Sequence, residues 1–266
     1  MRILQLSDLH LLADPGGDCR GRPPWAMVRL ALEQAWRQLE AEGLRPDRLL
    51  ITGDLCQDES WGGYVRLGEL LAASPLAVLP PPWLLSGNHD HGLRLRAALG
   101  RRAVIAPAEI VEAGWQVLLL DSQLPGRLEG QLGARQLAWL DRRLQASDLP
   151  LLVALHHPPR AIGDPMLDAI ALADGPVLLD RLRSCGRLRG LVFGHVHQHW
   201  QGQFGAPGLA GAEVPLLACP STLCAFPAVQ PCPLGRAEDP GARLLELTSA
   251  GGIRHRLLRW SPPDSP

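Results

Sequence analysis

Histidine is the residue type whose placement in this sequence first suggests chemistry. The 266-residue chain has nine histidines. Eight of them form four short clusters: His10; His89 and His91; His156 and His157; His195, His197 and His199. The clusters also carry aspartate and asparagine, and imidazole, carboxylate and amide groups are the ligands of borderline and hard metals. The clustering therefore predicts a metal site.

Apolar, strand-like runs precede these polar clusters. The runs cover residues 2–6, 48–52, 82–86, 151–155 and 190–193, and a sixth covers 116–120. Short continuous apolar runs are typical of strands buried on both faces. The carboxyl ends of such strands meet at one edge of a sheet, where ligands bind. Five strand ends would bring together seven donors: Asp8, His10, Asp54, Asn88, His156, His195 and His197.

The number of donors predicts two metal ions rather than one. A catalytic metal leaves some coordination positions open, so seven donors exceed what one ion uses. Two ions about 3.5–4 Å apart, sharing a carboxylate, suit the hydrolysis of phosphoryl groups. We expect two divalent or trivalent ions per chain. Iron, manganese or zinc would fit, and imidazole and carboxylate ligands do not distinguish between them.

Helical periodicity fills several of the gaps between the apolar runs. One amphipathic stretch begins at Trp25 and ends near Gly43, a second covers 134–144, and a third covers about 177–183 with Asp174 as its N-cap. Strands that alternate with helices predict a mostly parallel sheet in the first half. Residues 244–248 and 253–260 predict a hairpin. Since no linker is evident, we expect one domain over residues 1–260 and a disordered tail over 261–266.

Composition narrows the class of protein. The formal net charge is −1, with 46% apolar and 20% charged residues, which is typical of a globular domain and unlike a nucleic-acid or membrane-surface binder. No apolar run is long enough to span a membrane, and the N-terminus becomes polar too early for a signal peptide. The six cysteines include no Cys-x-x-Cys pair. We therefore expect free thiols and a cytoplasmic enzyme with no nucleic-acid or membrane partner.

The motif series resembles that of the calcineurin-like metallophosphoesterases. It consists of Asp8-Leu9-His10, Gly53-Asp54, Gly87-Asn88-His89-Asp90, His156-His157 and Gly194-His195-Val196-His197. Further stretches at 53–58, 118–123, 156–159, 167–168 and 220–222 resemble the class III cyclic-nucleotide phosphodiesterases. The resemblance covers about residues 2–260. It implies an α/β fold, a four-layer α/β/β/α sandwich of two mixed sheets flanked by helices. The glycine- and proline-rich second half would supply the second sheet and part of the rim.

The resemblance also implies a role for each motif residue. One metal would be bound by Asp8, His10, Asp54 and His197, and the other by Asp54, Asn88, His156 and His195, with Asp54 bridging. A hydroxide between the metals would attack phosphorus in line. The catalytic residues would be Asp54 and His89, with His89 stabilising the transition state or protonating the leaving O3′. The substrate would contact His10, Asp54, Asn88, His89 and His197. Asp90 would orient a neighbouring group.

The substrate implied by this branch is 3′,5′-cyclic AMP, hydrolysed to 5′-AMP. Another phosphodiester or a phosphomonoester is the alternative, because the core motifs would present any phosphoryl group to the same metals. A catalytically inert scaffold is disfavoured, since no ligand of the series is missing. Ala225 stands near a position where relatives carry glutamine, and Asp174 stands where they often carry asparagine. The change near Ala225, together with a short C-terminal part, bears on substrate preference and on the contacts of an expected homodimer, and Asp174 would weaken a contact to the substrate.

Three further histidines have less specific expectations. His157 adjoins a predicted ligand and is expected to form part of the pocket wall or to support that ligand. His91 and His199 flank motifs and are expected to be solvated or to line the pocket rim.

Overall fold

The computed structural model of the chain describes residues 1–205 and 213–262. The strands are β1 (Arg2–Leu6), β2 (Arg48–Ile51), β3 (Trp83–Leu84), β4 (Val104–Ile105), β5 (Ala108–Glu112), β6 (Trp115–Leu119), β7 (Leu151–Ala154), β8 (Leu188–Phe193), β9 (Trp200–Gly205), β10 (Glu213–Ala218), β11 (Gly241–Leu247) and β12 (Ile253–Arg259). The α-helices are α1 (Pro24–Ala41), α2 (Trp61–Ala73), α3 (Gly92–Leu99), α4 (Gly133–Gln145), α5 (Pro165–Asp168) and α6 (Gly175–Ser184).

The strands form two mixed six-stranded sheets. The first has the order β12-β11-β1-β2-β3-β4, and the second has the order β5-β6-β7-β8-β10-β9. Parallel pairing runs from β1 to β4 in the first sheet and links β6, β7, β8 and β10 in the second. Antiparallel strands complete one edge of the first sheet and both edges of the second. The strand ends that carry polar motifs therefore point the same way within each sheet.

Two large cores separate four layers. One core joins the facing surfaces of the two sheets, through residues such as Ile3 and Leu245 on one side and Val153 on the other, and it extends to α4 and α6. The second core packs the outer face of the first sheet against α1, α2 and α3, with Leu4 and Leu32 among its members. The four-layer α/β/β/α sandwich implied by the resemblance is confirmed.

The expectation for the second half of the chain needs correction. The second sheet begins at β5 and includes β9 and β10, but the C-terminal hairpin of β11 and β12 joins the first sheet beside β1. The hairpin itself is present, with Leu247 paired to Ile253. Its placement follows from the apolar face of β11, whose Leu245 is buried between the sheets.

Helix α2 was not predicted from the sequence. Glycine lowers helix propensity, and α2 contains three glycines, which masks its helical character. In the structure Ser60 caps α2 by accepting a hydrogen bond from Gly63 N at 3.1 Å. Residues 261 and 262 have no regular structure, and the rest of the predicted tail, 263–266, lies outside the described residues. Within the described residues, no helix combines the length and apolar character that a membrane span requires.

Asp174 caps a different helix from the one predicted. It occupies the N-cap position of α6, but its side chain makes no capping bond there. Its carboxylate instead accepts hydrogen bonds from Leu132 N at 3.0 Å and Gly133 N at 2.9 Å, where α4 begins. The residue before α4 is a leucine, which cannot cap, so the free N–H groups of α4 need an acceptor from elsewhere.

Replacing Asp174 tests this long-range cap. We expect Asp174→Ala to lower the free energy of unfolding by about 1–2 kcal/mol, as loss of an N-cap acceptor does. Asp174→Asn keeps one acceptor oxygen and should retain most of the stability. The exposed Asp148→Ala serves as a control and should stay within about 0.5 kcal/mol of the parent. Urea unfolding measures all three, and equal midpoints for Asp174→Ala and the parent would contradict the assignment.

Candidate active site

Five strand ends from both sheets converge on one site. β1 is followed by Asp8 and His10, β2 by Asp54, and β3 by Asn88. From the second sheet, β7 is followed by His156 and β8 by His195 and His197. The structure brings all seven predicted donors together, although they are spread over most of the chain.

The first donor cluster consists of Asp8, His10, Asp54 and His197, all buried. The Nε2 atoms of His10 and His197 lie 3.0 Å apart. His197 Nε2 is also 3.3 Å from Asp8 Oδ1, and His10 Nε2 is 3.8 Å from Asp54 Oδ2. The four ligand atoms therefore face a common point and could hold one metal ion.

The second donor cluster contains Asn88, His156 and His195. Asn88 Oδ1 lies 3.0 Å from His195 Nδ1 and 3.3 Å from His156 Nε2, and these two nitrogens are 3.3 Å apart. Asp54 Oδ2 is 3.5 Å from His156 Nε2. The same Asp54 oxygen thus borders both clusters, which is the position that a bridging ligand needs.

His157 lies against the second cluster, but both of its nitrogens have other partners. Nδ1 is 2.8 Å from the Ser122 hydroxyl, and Nε2 is 3.1 Å from the Leu128 carbonyl oxygen. Because the carbonyl can only accept, Nε2 carries the proton and Nδ1 accepts from the hydroxyl. No free lone pair is left for a metal. The buried ring packs 4.7 Å from that of His195, so His157 supports this donor and does not line the cavity.

The outward hydrogen bonds of the imidazoles decide what their inward nitrogens offer. Nδ1 of His156 lies 2.7 Å from Thr52 O, and Nδ1 of His197 lies 3.0 Å from Cys224 O. A carbonyl oxygen only accepts, so each Nδ1 must donate, and the neutral ring then presents a lone pair at Nε2. Nδ1 of His10 is held in the same way, 2.7 Å from Gln57 Oε1.

The inward-facing nitrogen lone pairs and carboxylates require a positive charge between them. Two Nε2 lone pairs at 3.0 Å repel each other, and two carboxylates lie beside them. Nε2 of His195 is also buried without a hydrogen-bond partner among the described residues. Nitrogen and oxygen donors in this arrangement are the set expected around two metal ions.

Protons take the place of a cation in the metal-free protein. Burial favours the neutral imidazole, yet the Asp8 carboxylate raises the pKa of His197 to about 10. Asp54 likewise outweighs burial and raises the pKa of His156 to about 9. Burial dominates at His10 and lowers its pKa to about 4, despite the attraction of Asp54. His197 can therefore donate from Nε2 to His10 in the absence of metal.

The backbone at the site adopts a conformation that non-glycine residues usually avoid. Among the described residues, the left-handed region with positive φ holds five of the seven donors: Asp8, His10, Asp54, His195 and His197. Their φ values lie between 48° and 68°. Such residues persist only where surrounding contacts fix them. The contacts here include bonds from His10 N to Asp54 O at 2.9 Å and from His195 N to Asp8 Oδ1 at 3.1 Å.

Motif glycines are required by close approach. A Cβ at Gly87 would collide with the Asp54 carboxylate, and a Cβ at Gly194 would collide with the Ser7 hydroxyl. The glycines that precede Asn88 and His195 thus let neighbouring loops approach within contact distance.

Asp90 holds in place the loops that carry two of the donors. Its buried carboxylate accepts hydrogen bonds from the backbone N–H groups of Leu55 and Cys56, both at 3.1 Å, and from that of Gly87 at 2.8 Å. The hydroxyl of Tyr64, on α2, donates to it at 3.1 Å. Burial, followed by repulsion from Asp54, raises the pKa of Asp90 to about 7. Asp90 therefore ties together the two loops that carry Asp54 and Asn88. Tyr64 had no signal in the sequence.

A cavity of about 450 Å³ opens above the donors. His89 lies on its wall, and its backbone N–H donates to Asp54 Oδ1 at 2.9 Å. Among the described residues, no group bonds to the imidazole of His89, whose ring lies 5.1 Å from that of His10. The His89 ring is thus free to meet a ligand in the cavity.

The expectation of a solvated or rim position is wrong for His199. His199 is buried, and its Nδ1 accepts a hydrogen bond from the Arg243 guanidinium at 3.2 Å. Arg243 is itself fully buried and needs such acceptors. His91 is half-buried at the N-cap of α3, where its Nδ1 faces Arg94 N at 3.5 Å.

Comparison with known proteins gives the family. The profile described as "Calcineurin-like phosphoesterase" matches residues 1–199. The chain belongs to this family. It is 45% identical, over 98% of its length and 97% of the relative's, to a "Probable cyclic nucleotide phosphodiesterase" of Synechococcus sp. strain WH7803. It is 36% identical to the 3′,5′-cyclic adenosine monophosphate phosphodiesterase CpdA of Pseudomonas aeruginosa, over 97% of this chain and 89% of that one.

A solved structure shares the fold. A dimetal phosphatase from Danio rerio superimposes with a TM-score of 0.61 at 16% identity, covering 98% of this chain and 99% of that one. The family and these relatives make the chain a metal-dependent phosphoester hydrolase. The family and the two donor clusters together support two metal ions in each chain.

Metal content tests the dinuclear site. We expect elemental analysis of reconstituted protein to give two ions per chain. Asp54→Ala should retain less metal than either Asp8→Ala or His156→Ala, because only Asp54 borders both clusters. Asp148→Ala, at an exposed position, should retain both ions. One ion per chain in a fully active parent would contradict the two-ion site.

Metal binding should release protons. His156 and His197 have pKa values raised to about 9 and 10, so near neutral pH each ring in the metal-free protein carries a second proton and is positively charged. Loading metal should therefore release about two protons per chain, and the release should disappear as pH rises through these values. Calorimetry in buffers of different ionisation enthalpy counts the protons. A release near zero at neutral pH would show that the inward nitrogens are already unprotonated.

Proposed function

We propose that the chain is a dimetal phosphodiesterase that hydrolyses 3′,5′-cyclic AMP to 5′-AMP. The observation that carries the chemistry is the convergence of two donor clusters on one Asp54 oxygen. The relatives named as cyclic-nucleotide phosphodiesterases, which match nearly the whole chain, support the substrate. Both clusters border a cavity of about 450 Å³, which is within the range of small-molecule sites.

We assign Asp8, His10, Asp54 and His197 to one metal ion and Asp54, Asn88, His156 and His195 to the other. The distances within each cluster support these assignments. When bound, the two ions would lower the pKa of a water molecule and neutralise charge on the phosphoryl oxygens. The imidazole and carboxylate donors suit iron, manganese and zinc.

The protein's own groups would orient the substrate and transfer the proton. His10, Asp54, Asn88, His89 and His197 would surround the phosphoryl group. His89 is anchored through its backbone N–H to Asp54 Oδ1, while its ring is unpartnered in the described structure. It can therefore donate a proton to the leaving O3′ or to a phosphoryl oxygen. We assign to His89 the role of general acid.

Three further proposals concern the setting of the enzyme. The two sheets both supply donors, which supports one domain over residues 1–260. All six cysteines are free, which supports a reducing, cytoplasmic location. A homodimer stays a prediction, and light scattering of the purified protein measures it.

Replacing His89 tests the proposed proton transfer. We expect His89→Ala to keep both metals and lose kcat by about 10²–10⁴-fold, the range for a general acid or a charge-stabilising group. The loss should shrink for a p-nitrophenyl ester, because that leaving group needs no proton. Asp148→Ala, at an exposed position away from the cavity, provides a control with unchanged turnover. Parental turnover in His89→Ala would rule out the role.

Product analysis tests the substrate. A metal-loaded sample should convert 3′,5′-cyclic AMP to 5′-AMP, separated by chromatography from 3′-AMP. If the same sample hydrolyses bis-p-nitrophenyl phosphate but leaves millimolar cyclic AMP intact, the phosphoesterase chemistry holds and the substrate is wrong. Another phosphodiester or a phosphomonoester would then be the substrate to seek.

A further inference from the structure

Arg20 occupies a strained position in a tight turn beside the active site. Cys19 and Arg22 exchange two backbone hydrogen bonds, of 2.9 and 3.2 Å, across the turn. Its two central residues, Arg20 and Gly21, have φ of 57° and 75°. A two-residue turn with both φ values positive favours asparagine, aspartate or glycine at its first central position. Arginine is unfavourable there, and such strain concentrates at ligand sites.

The turn is fixed to the segment that borders the cavity. The Arg22 guanidinium donates to Leu223 O at 2.7 Å, and Asp18 accepts a hydrogen bond from Gly21 N at 2.8 Å. Behind the turn, a small apolar core is formed by Cys19, Met27, Leu223 and Cys224. The position of Arg20 relative to the cavity is therefore set by the fold.

The guanidinium of Arg20 lies over an aromatic ring at the cavity wall. Its Cζ is 4.9 Å from the centroid of Phe226. The Phe226 ring in turn stacks on that of His197, with centroids 4.3 Å apart and planes at 10°. No carboxylate or carbonyl within residues 1–205 and 213–262 pairs with the Arg20 guanidinium, so its donors are free for a ligand.

Much of the remaining cavity lining is apolar. It is formed by Leu128, Met166, Leu167 and Ile170, with the carboxylate of Asp164 beside them. Met166 is 82% exposed and Leu128 is 54% exposed, so both present apolar surface to solvent beside the donor clusters. These apolar side chains offer no hydrogen bonds to a second phosphate group. A flat aromatic ring with hydrogen-bond acceptors matches both the wall and a planar, unpaired cation.

We propose that Arg20, held over Phe226, binds the nucleobase of the substrate against the wall of Leu128 and Met166. This assignment rests on the proposed function, because the phosphoryl end must lie at the donor clusters. Arg20 is a specificity residue and takes no part in bond cleavage. It should discriminate a cyclic nucleotide from a cyclic ribose phosphate that lacks a base.

The test compares two substrates in matched variants. Arg20→Ala should raise KM for 3′,5′-cyclic AMP by about 5- to 30-fold, the worth of a desolvated cation–π contact, with kcat nearly unchanged. The kcat/KM for the 1-O-methyl riboside 3′,5′-cyclic phosphate should stay at the parental value. Arg29→Ala, at an exposed position on α1, should behave as the parent on both substrates.

Equal losses on both substrates would mean that Arg20 acts on the phosphate, and no loss on either would mean that it does not contact the ligand. Each result overturns the base assignment and leaves the proposed function intact. Failure of the parent to hydrolyse cyclic AMP, with turnover of the baseless compound, would instead reject the proposed substrate.

A binding measurement separates planar contact from charge. The measurement is calorimetry with the product 5′-AMP and with ribose 5-phosphate, which lacks the base. Arg20→Ala should weaken the binding of 5′-AMP by a similar factor and leave the binding of ribose 5-phosphate unchanged. Arg20→Lys keeps the charge but loses the planar donor group, so we expect it to recover less than half of the lost affinity on a logarithmic scale. Full recovery by lysine would show that only the charge matters and would reject the stacked contact.

Discussion

Facing lone pairs at the centre of the site are the constraint on which the rest of the structure depends. His10 and His197 direct Nε2 atoms toward each other at 3.0 Å, and carboxylates of Asp8 and Asp54 lie beside them. Only positive charge compensates such a cluster in a buried place. Metal ions supply it when bound, and in their absence protons on His197 and His156 do so. The fold must hold these groups together against their mutual repulsion.

The surrounding architecture supplies that restraint. Donors come from five strand ends in two sheets, so each is fixed by a ladder of backbone hydrogen bonds just before it. Beyond the strands, bonds between loops keep five donors in the left-handed conformation. Asp90 adds three backbone bonds that join the loops after β2 and β3. Pre-formed placement of this kind lowers the cost of binding a metal and a phosphoryl group.

The cavity divides into a polar floor and a mixed upper wall. The floor consists of the donor clusters and His89, which suit a phosphoryl group. The upper wall pairs apolar side chains with the single cation–π stack of Arg20 on Phe226 that the described residues place there. Phe226 also packs on His197, so the upper wall and the polar floor are in direct contact. The two halves of a nucleotide would thus meet two different environments in one cavity.

The sequence by itself determined the donor set, its order and the strands that carry it. Those features are local: an apolar run followed by a ligand motif marks the end of a buried strand whatever surrounds it. The tertiary structure alone decided that Asp174 caps α4, that His199 is buried beside Arg243, and that β11 and β12 join the first sheet. It also decided that Arg20 reaches the cavity. Each of these depends on groups distant in sequence that meet only after the layers pack, so no local pattern could predict them.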